Sequence, residues 1–279
     1  MSEPLQIGLV IFPKVTQLDL TGPVQVFSSV PGAKVHLIWK RIEPVASDSV
    51  LTLTPTITFA DCPQLDVICV PGGFGTDEMV NDEEVLDFLR RQAEGAKYIT
   101  SVCTGSLVLG AAGLLRGYRA TTHWTAMDHL APFGALPAKT RVCVDRNRIT
   151  GGGVTAGIDF ALTLVSLMVD RQTAEAIQLR LEYNPAPPFN SGSPDTAPPE
   201  ILALMKERGI PASLDTSLWP PSISLLCSEP GPEKCHRRLV ADLLAGYWRA
   251  QGNDVEIRHL IVSPQKPAKP RRKPAGVVT

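Results

Sequence analysis

The chain has 279 residues, 44% hydrophobic and 20% charged, which is the composition of a soluble globular protein with enough apolar material for a sizeable core. Its longest apolar runs, such as LVLGAAGLL, are shorter than the roughly 18–20 residues that cross a bilayer, so no membrane span is predicted. The last seventeen residues hold five of the 27 basic residues and none of the 28 acidic ones, which leaves 22 against 28 and a net charge of −6 in residues 1–262. Such a charge gives no electrostatic reason to expect a nucleic-acid partner.

The N-terminus and the cysteines indicate a cytoplasmic protein. The opening MSEPLQIGLVIF has no basic segment before its apolar stretch and no small-residue cleavage site, so we predict no signal peptide. The cysteines show no framework spacing, and several lie in apolar strands, where a reduced thiol acts as a small hydrophobe. We therefore expect no disulfides among positions 62, 69, 103, 143, 227 and 235.

Strand and helix patterns alternate from the start of the chain. QIGLVIF (6–12) and VHLIWK (35–40) are β-rich runs, and GPVQVFSSV (22–30) between them begins with a Gly-Pro pair that suits the start of a helix. LTLTPTITF (51–59) alternates like a partly exposed hairpin, and DVICVPGG (66–73) is a buried strand that ends in glycines. The first 73 residues thus predict a β-α-β unit, a hairpin and a further strand.

The same alternation continues to residue 170. Acidic residues open a predicted helix over about 82–94, whose apolar face consists of Val85, Phe88, Leu89 and Ala93. A buried strand (98–102), a helix (104–115), a hairpin (141–150) and a long buried helix (157–170) follow. Strands that alternate with helices predict an α/β fold with a mainly parallel sheet covered on both faces, and such sheets bind ligands outside the carboxyl ends of their strands.

Cys103 falls where the strand 98–102 ends and the next helix begins. A side chain in this place projects from a tight, strained bend, as in the nucleophile elbow of hydrolases, and Gly105 and Ser106 allow the close approach that the bend needs. The free N–H groups and the positive end of the helix dipole favour thiolate over thiol, so we predict a depressed pKa and a nucleophilic sulfur. The alternative is a buried structural cysteine, as we assume for Cys69 and Cys143.

A series of segments resembles the ThiJ/PfpI superfamily, which is related to class I glutamine amidotransferases. The segments are LDLTGP (18–23), VPGG (70–73), SVCTGSLVLGAAGLL (101–115), RATTHW (119–124), TGGGVTAGIDFAL (150–162) and LEYNPAPPFNSGSPDTAPP (181–199). The similarity runs in order over about residues 5–208. Within the superfamily, the chain resembles the isocyanide hydratases. This resemblance implies a flavodoxin-like fold, a homodimer, and hydration of an isocyanide R–NC to an N-substituted formamide without metal or organic cofactor.

The resemblance also implies roles for two residues. Cys103 becomes the nucleophile, and Asp19 takes the place of an acid that hydrogen-bonds the sulfur, where much of the superfamily has glutamate. A carboxyl group beside a thiolate should have a raised pKa, so Asp19 can hold a proton at neutral pH and act as general acid, then as the base that activates water. Taken alone, Asp19 is equally a helix cap near Gly22-Pro23.

The remaining predicted site residues follow the cysteine or lie in the VPGG and TTHW segments. The backbone N–H groups of Thr104 and Gly73 are predicted to form an anion-stabilising pair, with Gly72 beside them, and the Thr104 hydroxyl is placed to donate to water or substrate. The glycines also suit a tight turn after a strand. In PfpI-type peptidases a histidine follows the cysteine, and here Thr104 stands there, so we expect His123 to line the pocket or to be structural rather than catalytic.

Two other functions stay open. Similar cysteine-bearing domains form the ligand-sensing half of transcription regulators, whose other half carries a helix-turn-helix pair. In residues 211–279 the sequence predicts one helix at about 233–250 and a strand at 255–262, and not two helices joined by a short turn. A cysteine peptidase or an α-oxoaldehyde-processing enzyme is the third reading, which Thr104 and the aspartate at position 19 disfavour. Cys227, Cys235 and His236 fit no zinc pattern, so no metal site is predicted.

We predict three segments along the chain. Residues 1–208 form the catalytic domain, residues 209–262 a divergent C-terminal extension, and residues 263–279 a basic, proline-rich disordered tail with too little apolar material to fold. The resemblance implies a long helix after SPDTAPP, but here PPEILALMKERG is expected to stop at 209–211, because prolines end a helix.

Overall fold

A computed structural model describes residues 4–207, in one compact unit up to Ala197 and the first part of a second unit that begins at Pro198. The strands are β1 (Leu5–Val10), β2 (Ala33–Trp39), β3 (Val45–Ala46), β4 (Thr52–Leu53), β5 (Ile57–Thr58), β6 (Val67–Val70), β7 (Tyr98–Val102), β8 (Arg119–Ala120), β9 (Leu136–Pro137), β10 (Val142–Asp145) and β11 (Arg148–Gly151). The α-helices are α1 (Gln17–Phe27), α2 (Thr76–Met79), α3 (Glu83–Gly95), α4 (Gly105–Ala111), α5 (Ala156–Met168), α6 (Arg171–Arg180) and α7 (Pro199–Glu207). Short 3-10 helices cover Trp124–His129 and Ala131–Phe133.

The central sheet has seven strands in the order β10-β11-β7-β6-β1-β2-β5. All neighbours are parallel except β10 and β11, which form the predicted antiparallel hairpin. Helices α1 and α5 pack against each other and against the sheet, α6 packs on α5, and α2, α3 and α4 form a second group. All four residues of β6 are buried, because helices flank the sheet. The predicted flavodoxin-like α/β class is confirmed.

The first helix begins earlier than the sequence pattern indicates. It starts at Gln17, so Gly22 and Pro23 lie inside α1 and not at its start. Both residues face α5: a Cβ at Gly22 would lie 3.2 Å from Ile158, and one at Gly157 would lie 3.1 Å from the Pro23 ring. The Gly-Pro pair therefore serves close packing between two helices. The proline costs α1 one backbone hydrogen bond, and the tertiary contact retains the helix.

The predicted hairpin over 51–59 is wrong. Within that range β4 pairs with β3, which lies before it in the chain, whereas β5 joins the main sheet beside β2 in parallel orientation. Pro55 separates the two short strands, and its missing N–H prevents a continuous ladder through this segment.

The helices and strands that frame the site follow the predictions closely. Asp82 caps α3, where its carboxylate accepts the Val85 N–H, and three of the four predicted apolar residues on this helix are buried, with Ala93 half-buried. The strand that contains Cys69 (β6) and the strand before Cys103 (β7) occur as predicted, while α4 ends four residues early at Ala111.

Helix α7 is the part of the second unit that the structure describes. Its predicted stop at 209–211, the extension with its helix and strand, the basic tail and Cys227, Cys235 and His236 lie outside the described residues. Among residues 4–207, no helix has the length and apolar character that a membrane crossing requires.

Candidate active site

Cys103 occupies a strained turn between β7 and α4. Its φ of 53° lies in the left-handed region, which a non-glycine residue adopts at an energetic cost, and its side chain is buried at 6% exposure. A Cβ at Gly105 would collide with the Val70 carbonyl oxygen and lie 2.6 Å from that of Pro71, so only glycine fits after the bend. The Cys103 carbonyl accepts hydrogen bonds from the hydroxyls of Ser106 at 3.2 Å and Thr122 at 3.0 Å. This geometry is that of the predicted nucleophile elbow.

Asp19 lies against this sulfur from the first turn of α1. Its side chain is fully buried, its Oδ2 accepts the Gly72 N–H at 2.9 Å, and the carboxyl group lies close enough to the Cys103 thiol for each group to shift the pKa of the other. The N-cap of α1 is Thr16, so the helix-cap reading of Asp19 is wrong. Oδ1 has no hydrogen-bond partner of regular geometry within the described residues. A buried carboxyl group with an unpartnered oxygen is more stable when it is protonated, because the neutral form costs less to bury than the charged form.

Burial shifts the acidity of both groups. Desolvation raises the pKa of Asp19 to about 7; the Gly72 N–H and the Cys103 thiol act against this shift, and the charge of Asp48 adds to it. The pKa of Cys103 is also raised, by burial and by the negative charge of Asp19, whereas the N–H and hydroxyl of Thr104 favour the thiolate. The predicted depressed thiol pKa is therefore wrong, because burial of the sulfur outweighs the donors of the seven-residue α4.

The raised pKa values describe a coupled pair. A proton on Asp19 removes the negative charge that opposes the thiolate, and it converts the carboxyl group into a donor toward the sulfur. The state in which both groups are ionised puts two negative charges in a buried site and is the least favourable one, so the pair holds at least one proton near neutral pH. This arrangement places a thiol beside a carboxyl group that can hold a proton at neutral pH.

The VPGG turn closes on Asp19 and Thr104. Gly73 has a φ of 137°, which side-chain-bearing residues rarely adopt, and a Cβ at Gly72 would lie 2.6 Å from Thr104 N. The Gly73 N–H donates to Thr104 Oγ1 at 3.1 Å, and the N–H and hydroxyl of Thr104 act to lower the pKa of the Cys103 thiol. Of the two N–H groups predicted to stabilise an anion, that of Gly73 is bonded to the Thr104 hydroxyl, and that of Thr104 favours the Cys103 thiolate.

Thr76 is a site residue that the sequence did not reveal. It opens the short helix α2, is 3% exposed, and its Oγ1 lies 2.7 Å from the Gly73 carbonyl oxygen and 3.2 Å from Thr104 Oγ1. The available signal was its place three residues after Gly73, since a threonine there can bond back to the turn carbonyl.

His123 forms its side-chain hydrogen bonds with Thr125, and none with Cys103 among the described residues. Its Nδ1 lies 2.7 Å from Thr125 Oγ1 and accepts the Thr125 N–H, which caps the 3-10 helix that follows. Burial lowers the pKa of His123, so the ring is neutral at pH 7. Within residues 4–207 no hydrogen bond links it to Cys103 or Asp19, and its neighbour Thr122 is the TTHW residue that bonds to the Cys103 backbone.

The other described cysteines have no comparable setting. Cys62, Cys69 and Cys143 are free thiols, and burial raises the pKa of Cys62 to about 11 and of Cys69 to about 12. In the part of the chain that the structure describes, no group of three or more His, Cys, Asp or Glu side chains has the arrangement of a metal site.

Comparisons with known proteins give this geometry a context. The model of the DJ-1/PfpI family matches residues 6–167. The isonitrile hydratase of Pseudomonas putida is 60% identical over 208 residues, which cover 75% of this chain and 91% of that protein. The crystal structure of a ThiJ/PfpI family protein from Pseudomonas syringae is similar with a TM-score of 0.72 and 50% identity, over 74% of this chain and 86% of that one.

A transcription regulator is also similar over part of its length. The HTH-type transcriptional regulator GbdR of Pseudomonas aeruginosa is 32% identical over 190 residues, which cover 64% of this chain and 51% of the regulator. The similarity therefore concerns about half of that protein, whereas the hydratase is matched over nearly its whole length.

Proposed function

The chain belongs to the DJ-1/PfpI family, and we propose that it hydrates isocyanides, R–NC, to N-substituted formamides. Isonitrile and isocyanide are two names for the same functional group. The observation that carries the proposal is the 60% identity to an isonitrile hydratase over 91% of that protein's length. The buried pair of Cys103 and Asp19 supports it, because the reaction needs a soft nucleophile and a proton at one carbon.

The first half of the reaction joins the sulfur to the substrate. The Cys103 thiolate attacks the terminal carbon of the isocyanide and forms the C–S bond, which leaves an electron pair on that carbon. Asp19 gives its proton to the carbon, so the product is a thioimidate, R–N=CH–S–Cys, beside an Asp19 carboxylate. The carboxyl group and the thiol are close enough to shift each other's pKa, so the proton of Asp19 is near the carbon that the sulfur binds.

The second half consumes one water molecule. The Asp19 carboxylate takes a proton from water, and the hydroxide adds to the thioimidate carbon. The hydroxyl proton of this adduct passes to nitrogen, the C–S bond breaks, and the formamide R–NH–CHO leaves with the thiolate and the protonated Asp19 restored. The N–H and hydroxyl of Thr104 stabilise the thiolate at both ends of the cycle. A carboxyl group with a pKa of about 7 can serve as acid and base at neutral pH.

The roles of the other predicted residues belong to the same proposal. Gly72 holds Asp19 through its N–H, Gly73 holds Thr104, and His123 shapes the loop behind the nucleophile. We also propose that residues 1–208 form the catalytic domain of a homodimer, as the family resemblance implies, and that the protein is cytoplasmic. Light scattering during size-exclusion chromatography measures the oligomeric state.

Ligand sensing is the second candidate function, which the similarity to half of GbdR favours. Incubation with an aromatic isocyanide, with the formamide measured by chromatography, distinguishes the hydratase function from the sensor function. Formamide produced by the wild type and not by Cys103→Ala supports the hydratase. Isocyanide that binds without turnover supports the sensor. Peptidase and oxoaldehyde activities lack a supporting observation, since Thr104 and not histidine follows the cysteine.

A further inference from the structure

The hydrogen bonds of His123 determine which of its ring nitrogens carries the proton. Nδ1 accepts the Thr125 N–H at 3.4 Å and lies 2.7 Å from Thr125 Oγ1. A backbone N–H can only donate, so Nδ1 must offer a lone pair. Burial lowers the pKa of His123, and a neutral ring has one N–H, so this N–H is on Nε2.

The Nε2–H group of His123 is a donor without an acceptor. Within residues 4–207 both side-chain hydrogen bonds of His123 are made by Nδ1, and none by Nε2. The buried side-chain atoms of this part of the chain that lack a partner are Asp19 Oδ1 and Ser101 Oγ, so Nε2 is not sealed inside the protein. The half-buried ring thus presents an N–H that a small molecule can reach.

Two segments that hold the backbone of the nucleophile bring this ring edge to the site. Thr122, the residue before His123, donates its hydroxyl to the Cys103 carbonyl at 3.0 Å, and the Gly151 carbonyl accepts the Cys103 N–H at 3.0 Å. A Cβ at Gly153 would lie 3.7 Å from His123 Cδ2, the ring carbon bonded to Nε2. The Nε2 edge therefore lies along the loop that follows β11, at the carboxyl end of the sheet, where α/β proteins bind ligands.

His123 and Asp19 are associated with opposite neighbours of the strand that carries the nucleophile. In the sheet, β7 lies between β11 and β6. Gly153 follows β11, whereas Gly72, whose N–H bonds to Asp19, follows β6. In the proposed reaction the isocyanide carbon receives its proton from Asp19, so the part of the substrate that can extend toward β11 is the substituent R on nitrogen.

We propose that the Nε2–H of His123 donates a hydrogen bond to an oxygen atom in the substituent R, so that the protein prefers isocyanides with a carbonyl group near the isocyano nitrogen. This inference rests on the proposed hydratase function and names its substrate class. A neutral donor suits the neutral oxygen of an ester, an amide or a ketone.

The local structural duty of His123 accounts for only half of its ring. Nδ1 caps the 3-10 helix that begins at Trp124, and serine, asparagine or aspartate can supply such an acceptor without a second nitrogen. The Trp124 ring lies 5.9 Å from the His123 ring and is also half-buried, so it adds apolar surface beside the donor. An N–H next to an aromatic face is the setting that a substituent with both a carbonyl and apolar groups requires.

The test compares two isocyanides of nearly the same shape. One is methyl isocyanoacetate, and the other is a branched alkyl isocyanide with a methyl and a methylene group in place of the two ester oxygens. The value of kcat/KM for formamide formation is measured for both with the full-length protein. His123→Phe should lower the ratio of ester to alkyl substrate by about tenfold, the scale of one neutral hydrogen bond. Loss of the helix cap affects both substrates and cancels in this ratio.

Three variants make the comparison specific to the donor. His123→Gln keeps an N–H near the end of the side chain and should retain a ratio closer to wild type than His123→Phe does. His129→Phe changes an exposed histidine in the same 3-10 helix and should keep the wild-type ratio. Should His123→Phe fail to fold, His123→Ala gives the same comparison. A wild-type ratio in the variant that lacks the donor would overturn the proposal.

Binding and NMR measurements distinguish this proposal from the hydratase function. In Cys103→Ala, which has no nucleophile, calorimetry measures the affinity for both isocyanides, and adding His123→Phe should weaken binding of the ester selectively. Selective weakening without formamide from any wild-type reaction would reject the hydratase function and keep the His123 contact, whereas equal weakening of both ligands would reject the contact. Proton–nitrogen NMR of the His123 ring should show the Nε2–H tautomer at pH 7, and the Nδ1–H tautomer would also overturn the proposal.

Discussion

The pKa of Asp19 predicts an unusual dependence of stability on pH, which Asp19→Asn should abolish. The folded protein holds a proton on this buried carboxyl group up to about pH 7, whereas the unfolded chain releases it near the ordinary value of 3.8. Between those values the folded state binds more protons than the unfolded state, so the free energy of unfolding falls as the pH rises. The contribution of the Asp19 proton to the free energy of unfolding is complete below about pH 4 and is lost above about pH 7. A shift of about three units corresponds to about 4 kcal/mol.

Urea unfolding from about pH 4.5 to pH 8, at constant ionic strength and protein concentration, measures this effect. Asparagine does not ionise, and its side-chain oxygen can still accept the Gly72 N–H. The stability of Asp19→Asn relative to wild type should therefore rise with pH by up to about 4 kcal/mol and level off above pH 7. Glu94→Gln, which neutralises an exposed acid on α3, is the control and should follow the wild-type curve. Parallel curves for Asp19→Asn and wild type would refute the raised pKa.

Three further outcomes concern turnover. Cys103→Ala and Cys103→Ser should abolish formamide formation and leave the circular dichroism spectrum unchanged, while each of the other cysteines can be replaced with activity kept; substantial turnover in Cys103→Ala would exclude the covalent mechanism. Asp19→Asn should lower turnover by about 100-fold or more, and Asp19→Glu should retain more activity than Asn. A turnover and pH profile equal to wild type in Asp19→Asn would mean that the proton comes from water or from Thr104. Deletion of residues 211–279 should preserve catalysis in a soluble product, because no proposed role lies there, and a folded but inactive truncation would contradict this.

The sequence predicted the fold where hydrophobic patterns were long or ended in a distinctive turn. Buried strands β6 and β7, the hairpin of β10 and β11, and helices α3 and α5 follow directly from such patterns. The Gly-Pro pair of α1 was misread because its purpose is contact with α5, which local rules do not encode. The pairing of β4 with β3 was missed for a similar reason, since strands of two residues carry almost no periodicity.

The site was predicted less completely, because acidity depends on burial. Cys103 could be placed at an elbow from the strand and helix that flank it, but the pattern gave no measure of how deeply the sulfur is buried. The dipole argument therefore predicted the wrong sign for the thiol pKa. Thr76 was missed because its partner Thr104 lies 28 residues away in the chain and meets it only when the VPGG turn folds over α4.

The same desolvation that weakens the protein above neutral pH provides the chemistry that we propose. A solvated aspartate with a pKa near 4 would be ionised at pH 7, and it could neither protonate an imidoyl carbon nor face a thiolate without repulsion. Burial of Asp19 moves its pKa to about 7, where acid and base forms are both populated. The cost appears as lost stability between pH 4 and pH 7, and the gain appears as a proton that can be given and taken back within one turnover. A variant that flattens the stability curve should therefore also be a poor hydratase, and Asp19→Asn tests both statements in one protein.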